Sequence, residues 1–250
     1  MRRDGNKPQL RGEILSPIPD MQVRALVVAG GFGTRLRPLT DKLPKPLLEV
    51  GGVSLLERIL LRLAEAGIVL VTISVHYLAD QIMLAIGNGS KFGLNVEYIS
   101  EVQPLGTIGA LGRMAKDART IVVTNADIIS DLNFAEIVAF HFVQKASMTV
   151  AVSRYVVPIP FGCVTISDDR IVNIQEKPTY EFWVAGGVYC VDAAVRRLVT
   201  GCDRLDVPEL MSRAMDQGLT VRPFESQGKW LDVGDMASYQ KAQESWRGGH

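Results

Sequence analysis

The chain has 250 residues, 47% of them hydrophobic, and its 27 Lys and Arg are matched by 27 Asp and Glu. That length can bury a sizeable core in one α/β domain or two small ones, and the charge balance leaves no overall field to hold nucleic acid or an anionic membrane surface. Any site for an anion must therefore be built locally.

No stretch approaches the ~18 uninterrupted apolar residues of a membrane span, and no apolar segment follows the basic start MRRDGNKPQL as a signal peptide requires. A soluble, cytoplasmic protein is expected. Cys163, Cys190 and Cys202 have no CxxC spacing, which argues against a disulfide framework or a zinc site and casts all three as small core hydrophobes. A homodimer is the assembly that base rates favour.

Residues 1–22 are polar and carry Pro8, Pro17 and Pro19, the composition of a flexible tail or linker stub, so one domain is expected over 23–250. From Val23, β-rich apolar runs alternate with helical patterns. Val23 to Ala29 is a strand, followed by a helix from Ser54; Val69 to Val75 is a strand, followed by a helix ending near Gly87; Val96 to Ser100 and Ile121 to Thr124 are strands. The alternation predicts parallel strands with crossover helices. Ser54 and Glu57 form a capping box, Gly67 stands where a helix C-cap belongs, and Asp206, Pro208 and Glu209 mark another helix start. After residue 147 the register changes. Met148 to Ser153, Gly162 to Ile166, Ile171 to Gln175 and Val184 to Val191 read as strands with little helix between them, which predicts a mixed or antiparallel extension acting as a substrate lid. His76, His141 and His250 show no ligand spacing and read as structural or surface residues; Met83 and Phe142 read as helix core.

The first strand runs into Gly30-Gly31-Phe32-Gly33-Thr34-Arg35. Ligands of open α/β sheets bind beyond the carboxyl ends of strands, and glycines there let backbone N–H groups approach a phosphate while Arg35 offers a charged fork. A dinucleotide fingerprint fails because Leu36 stands where its third glycine belongs. A Walker A loop fails for want of Gly-Lys-Ser/Thr. What remains is a loop of about fifteen residues, kept irregular by Pro38, Pro44 and Pro46, that carries Arg35 and Lys45 to the strand ends.

The segment GGFGTRLRPLTDKLPKP resembles the signature of the sugar-1-phosphate nucleotidyltransferases. The likeness continues through Pro104-Leu105-Gly106-Thr107, Asn125-Ala126-Asp127, Glu176-Lys177-Pro178 and Trp230-Leu231-Asp232-Val233-Gly234, and is strongest to the mannose-1-phosphate guanylyltransferase-like branch. The resemblance implies a Rossmann-like, mostly parallel mixed sheet of GT-A type with flanking helices and a smaller β-rich sugar-binding extension. It also implies an enzyme that joins a nucleoside triphosphate to a sugar 1-phosphate with Mg²⁺. In that reading Arg35 binds the departing pyrophosphate, Lys45 meets the reacting phosphates, and Asp127 and Asp232 hold the metal. Ala29, Gly30, Gly31, Gly33, Thr34, Glu101, Gly106, Thr107 and Asn125 line the nucleotide site. Lys177 meets the sugar phosphate and Glu176 the sugar hydroxyls, beside Gly162, Ala185 and Gly186.

Two positions depart from the family pattern. Ala126 stands where Gly is usual, and Ala185 replaces an Asn, removing a hydrogen-bonding group from the sugar pocket. Glu101 lies where relatives read the base edge. A carboxylate only accepts hydrogen bonds and guanine offers adjacent N–H donors, so GTP is the expected nucleotide. Two other classes compete: a non-catalytic nucleotide-sugar sensor, which would not need every charged residue, and a nicotinamide oxidoreductase, disfavoured by the failed fingerprint.

Overall fold

The computed structural model describes residues 23–115 and 118–246; the expected tail and His250 lie outside them. In chain order, β1 (Val23–Val28) leads through the long loop to a small hairpin of β2 (Glu49–Val50) and β3 (Val53–Ser54), then α1 (Leu55–Glu65) and β4 (Leu70–Val75). Next come α2 (Ala79–Ile86), β5 (Asn95–Ser100), β6 (Thr120–Asn125), β7 (Ile128–Ser130) and α3 (Phe134–Val143). The second half holds β8 (Met148–Pro158), β9 (Cys163–Ser167), β10 (Arg170–Gln175), β11 (Thr179–Asp192) and α4 (Ala193–Arg196). The chain continues with α5 (Val207–Asp216), β12 (Val221–Glu225), β13 (Trp230–Asp232) and α6 (Met236–Ser245).

Seven strands form one sheet in the order β12-β8-β11-β6-β1-β4-β5. The β1, β4, β5 and β6 pairings are parallel and β12 pairs parallel with β8, while β11 runs antiparallel to both β6 and β8. This is the mixed, mostly parallel sheet that the family resemblance implies, and β1, β4, β5 and β6 are the parallel part that the alternating pattern predicts. One face is covered by an apolar cluster that includes Leu60, Ile73, Ile82 and Ile137, the other by one that includes Leu26, Leu111, Val123 and Leu210. The capping box forms as the sequence prescribes: the Ser54 side chain accepts from the Glu57 N–H, and α1 lays Leu56, Ile59, Leu60 and Leu63 on the sheet. Among the described residues no helix is long and apolar enough to cross a membrane.

Two sequence expectations need correction, and two elements went unread. β8 and β11 are longer than their apolar runs, reaching Pro158 and back to Thr179, because the paired strands continue past the sheet as a ribbon ending near the β9–β10 hairpin. Only Cys190 is a core hydrophobe. Cys163 is half-buried on the projecting ribbon, where no core backs it, and Cys202 is exposed in a bend after α4. α6 and β12 lack the apolar pattern that would have announced them: only Ala242 of α6 is fully buried.

Candidate active site

The glycine-rich turn leaves β1 at its carboxyl end, beside the ends of β4 and β6. Three short 3-10 turns, Thr34–Leu36, Leu39–Asp41 and Lys45–Leu47, carry the loop back. Gly33 adopts φ +63, and a Cβ there would press on Thr40 Cγ2 at 3.0 Å and Lys45 Cβ at 3.2 Å, so a side chain would pry the loop apart. Thr40 Oγ1 donates to the Gly33 carbonyl at 2.8 Å, and Leu36 and Leu48 anchor the loop in a small apolar cluster with Ile129, Val233 and Ala242.

That anchoring brings distant charges together. Lys45, only 8% exposed, places Nζ 2.5 Å from Oδ2 of Asp127, in the turn between β6 and β7. β7 pairs with β13, whose last residue is Asp232, opposite Ile128. The Arg35 guanidinium lies against Gly234, where an added Cβ would come within 3.2 Å of its Nη2 and 3.4 Å of Asp232 Oδ1. The Asp232 carboxyl is raised by the desolvation of this crowded spot and then by the Asp127 charge, with Lys45 and Arg35 pulling it down. Two carboxylates and two cations thus share one locus. The other oxygen of Asp127, Oδ1, is buried and has no hydrogen-bond partner among the described residues, an acceptor left open for an incoming cation or donor. Among the described residues no group of three or more His, Cys, Asp and Glu could hold a metal. Two carboxylates suit Mg²⁺, which takes one or two of them together with water and phosphate oxygens.

Beside the turn, Gly30 lets β1 approach His76 and Glu101: a Cβ there would sit 3.3 Å from His76 Cβ and 3.6 Å from Glu101 Oε2. Glu101 is buried, its Oε2 accepting from the Leu105 N–H at 2.8 Å, while Oε1 has no partner among the described residues. The sequence reading missed the neighbours of this carboxylate. His76 Nδ1 donates to the Glu101 carbonyl at 2.7 Å, and the His76 ring meets the half-exposed Phe32 ring edge-on at 5.3 Å. Phe32 also touches Tyr77, whose hydroxyl donates to the Thr40 and Asp41 carbonyls. Phe32, an aromatic side chain inside a glycine turn, was the available signal.

Gly106 and Thr107 have partners inside the fold. The Thr107 N–H donates to Asp206 Oδ1 at 2.9 Å, and Thr107 Oγ1 accepts from the Val207 N–H at 3.0 Å. Asn125 ends β6 close to Gly187, and its Oδ1 is buried without a partner among the described residues. Ala29 is buried at the end of β1, and Thr34 and Gly31 are exposed. In β11, Ala185 is exposed where the register shifts, and the buried Gly186 accepts at its carbonyl from Trp230 Nε1 at 2.9 Å. Glu176 and Lys177 lie at the base of the hairpin, both exposed, their charges 3.9 Å apart, with Gly162 beside the Glu176 carboxylate. They belong to the ribbon and are not drawn into the four-charge locus.

The sequence matches the nucleotidyl transferase family over residues 24–247. The chain belongs to that family. It is 34% identical over 233 residues, 87% of its length, to a Schizosaccharomyces pombe protein named mannose-1-phosphate guanyltransferase, and spans 62% of that relative. It is 41% identical over 159 residues, 62% of its length, to a Mycobacterium tuberculosis mannose-1-phosphate guanylyltransferase, of which the match spans 44%. These curated relatives are thus longer than the part that this member of the family matches. A Bacillus anthracis protein assigned as a glucose-1-phosphate thymidylyltransferase, solved with sucrose, superposes with a TM-score of 0.74 at 23% identity, covering 91% of this chain and 96% of that one. HddC from Yersinia pseudotuberculosis gives 0.70 at 22%, covering 90% of this chain and 100% of its own. Both share the nucleotidyltransferase architecture, a mixed sheet flanked by helices.

Proposed function

We propose that this chain transfers a nucleotidyl group from GTP to a hexose or amino-hexose 1-phosphate, releasing pyrophosphate and leaving a nucleotide sugar. The observation that carries the reading is the meeting of Arg35, Lys45, Asp127 and Asp232 at one place beside the glycine turn. Relatives named as mannose-1-phosphate guanylyltransferases add weight to the guanine nucleotide and the hexose.

The chemistry asks for these residue types. An oxygen of the sugar phosphate, already anionic, attacks the α-phosphorus in line; one P–O bond forms as the bond to the β-phosphate bridge breaks, and no proton need move. Negative charge accumulates on the departing pyrophosphate. Arg35 and Lys45 meet that charge from fixed positions, and the N–H groups of Gly30, Gly31 and Gly33 add donors. Asp127 and Asp232 would hold Mg²⁺, which when bound neutralises phosphate charge. Glu101 would accept from guanine, Asn125 would lie along the nucleoside, Lys177 would meet the sugar phosphate, and Glu176, Gly162, Ala185 and Gly186 would bound the sugar. A sensor without turnover has no need for both carboxylates together with both cations.

The test is pyrophosphate release from a panel of NTPs and sugar 1-phosphates with Mg²⁺. GTP is expected to turn over fastest, and Asp127→Ala and Asp232→Ala should each lower turnover by at least ~10²-fold, as loss of electrostatic stabilisation of a transition state does. Absence of pyrophosphate release with every pair refutes the activity; near-normal rates in both variants refute the metal assignment; preference for a pyrimidine nucleotide refutes the role of Glu101.

A further inference from the structure

The strand pair that leaves the sheet carries one side chain whose placement the fold does not account for. Trp183 lies on β11 opposite Arg154 of β8, and the Arg154 guanidinium sits over its ring, 4.9 Å from the centroid. Two carboxylates hold that guanidinium, Glu181 of β11 at 3.5 Å and Glu225 of β12 at 3.6 Å. Three strands thus contribute to fixing one indole. Yet Trp183 is 54% exposed and belongs to none of the core clusters. Exposed ion pairs add little to stability, and a half-wet tryptophan forgoes much of what its burial would contribute. What the network supplies is orientation: a cation backs the ring while the side chain stays open to solvent.

Side chains alternate along β11, so Trp183 shares its face with the exposed Ala185, whose partner across the ribbon is Val152. From Ala185 the strand runs to Gly186, whose carbonyl accepts from Trp230 Nε1, and β13 runs from Trp230 to Asp232. In the other direction β11 begins at Thr179, next to Glu176 and Lys177. Trp183 therefore stands between the two groups of residues, Glu176 with Lys177 and Ala185 with Gly186, that bound the sugar in the proposed function.

We infer that Trp183 is a sugar-recognition residue whose indole stacks on the C–H face of the pyranose ring of the sugar 1-phosphate, with Arg154 as its positioning residue. This rests on the proposed function. A pyranose turns hydroxyls outward at its rim and C–H bonds toward its faces, and those slightly positive hydrogens suit the negative face of an aromatic ring. Ala185 and Val152 continue the floor with methyl groups, so this part of the pocket discriminates by shape and not by hydrogen bonding. A nucleobase would also stack on an indole. Glu101, however, follows β5, which β6, β1 and β4 separate from β11 in the sheet order, so the ring met on this side is the sugar.

Steady-state kinetics of Trp183→Ala and Trp183→Phe with mannose 1-phosphate and glucose 1-phosphate test this. In Trp183→Ala the KM for the sugar 1-phosphate should rise by about 10-fold, the scale of one aromatic contact, while the KM for GTP changes by less than about 2-fold. Trp183→Phe should recover most of the loss. A tryptophan that only braces the ribbon would move both KM values together or neither. Oxidative footprinting of the wild type reads the contact without a variant: saturating sugar 1-phosphate should slow modification of Trp183, and inorganic phosphate should not. Equal rises in both KM values, an unchanged sugar KM, or Trp183 modified at the same rate with and without sugar 1-phosphate overturns the inference and leaves the activity standing. A wild type that neither turns over nor binds any sugar 1-phosphate overturns the proposed function and this inference together.

Discussion

A buried carboxylate with one oxygen satisfied and the other bare is costly in a finished fold, and such orphans gather where a ligand completes the set. Glu101 is one of these, with Oε2 on the Leu105 N–H and Oε1 unmatched among the described residues. Exchange of Glu101 for Gln keeps the size but presents an amide donor to guanine's own donors. On the proposed function, GTP kcat/KM should fall by about 10- to 100-fold, the range for one hydrogen bond to a charged group, with little change for UTP or CTP. Unchanged GTP kinetics in that steady-state comparison would remove Glu101 from base recognition. At this scale the sequence was informative about residue types and uninformative about burial: Glu is mostly a surface residue, and only the fold reveals that the strand end folds over this one.

Among the elements, the start of α5 shows how a sequence motif can serve the scaffold. Asp206 makes no cap bond to its own helix; it reaches Thr107, which in return accepts from Val207, a capping box assembled from segments about a hundred residues apart in sequence. Gly106 makes room for it: φ is +78, and a Cβ would lie 2.5 Å from the Leu205 carbonyl oxygen. Asp206→Ala should therefore cost about 1–2 kcal/mol, the loss typical of a helix cap, and lower the melting temperature by several degrees in a calorimetric scan. Gly106→Ala should cost more, because backbone must move. The start of α1 was legible in the sequence because its capping box of Ser54 and Glu57 is local chemistry, whereas Asp206 marked the start of α5 without revealing its bond to Thr107. The far ends of β8 and β11 were not legible, since Arg154, Pro158 and Glu181 interrupt the apolar run in strands that leave the sheet and have no core to face.

For the molecule as a whole, stability should depend on pH through His141, which is buried in α3 with Nδ1 2.9 Å from Thr149 Oγ1 on β8. Burial lowers its pKa from 6.5, and the charge of Asp192 opposes this only in part. The unfolded chain thus takes up the proton more readily. The contribution is complete above the unfolded pKa and is lost as pH falls through the lower folded value. Urea midpoints from about pH 7.5 to about 5.5 should drop more in wild type than in His141→Gln; equal slopes would contradict it. The alternation of strands and helices was readable because periodicity is a local signal. The meeting of Lys45 with Asp127 and of Arg35 with Asp232 has no spacing rule, and only the motif resemblance suggested it. What joins them is the small cluster in which Leu36 and Leu48 pack with Val233 and Ala242, reinforced by Tyr239 and Gln243 donating to the Glu49 carbonyl. During synthesis, then, the glycine turn emerges early but stays unfinished until α6 has been made as well, so the four charges cannot be held together before segments from both halves of the chain exist.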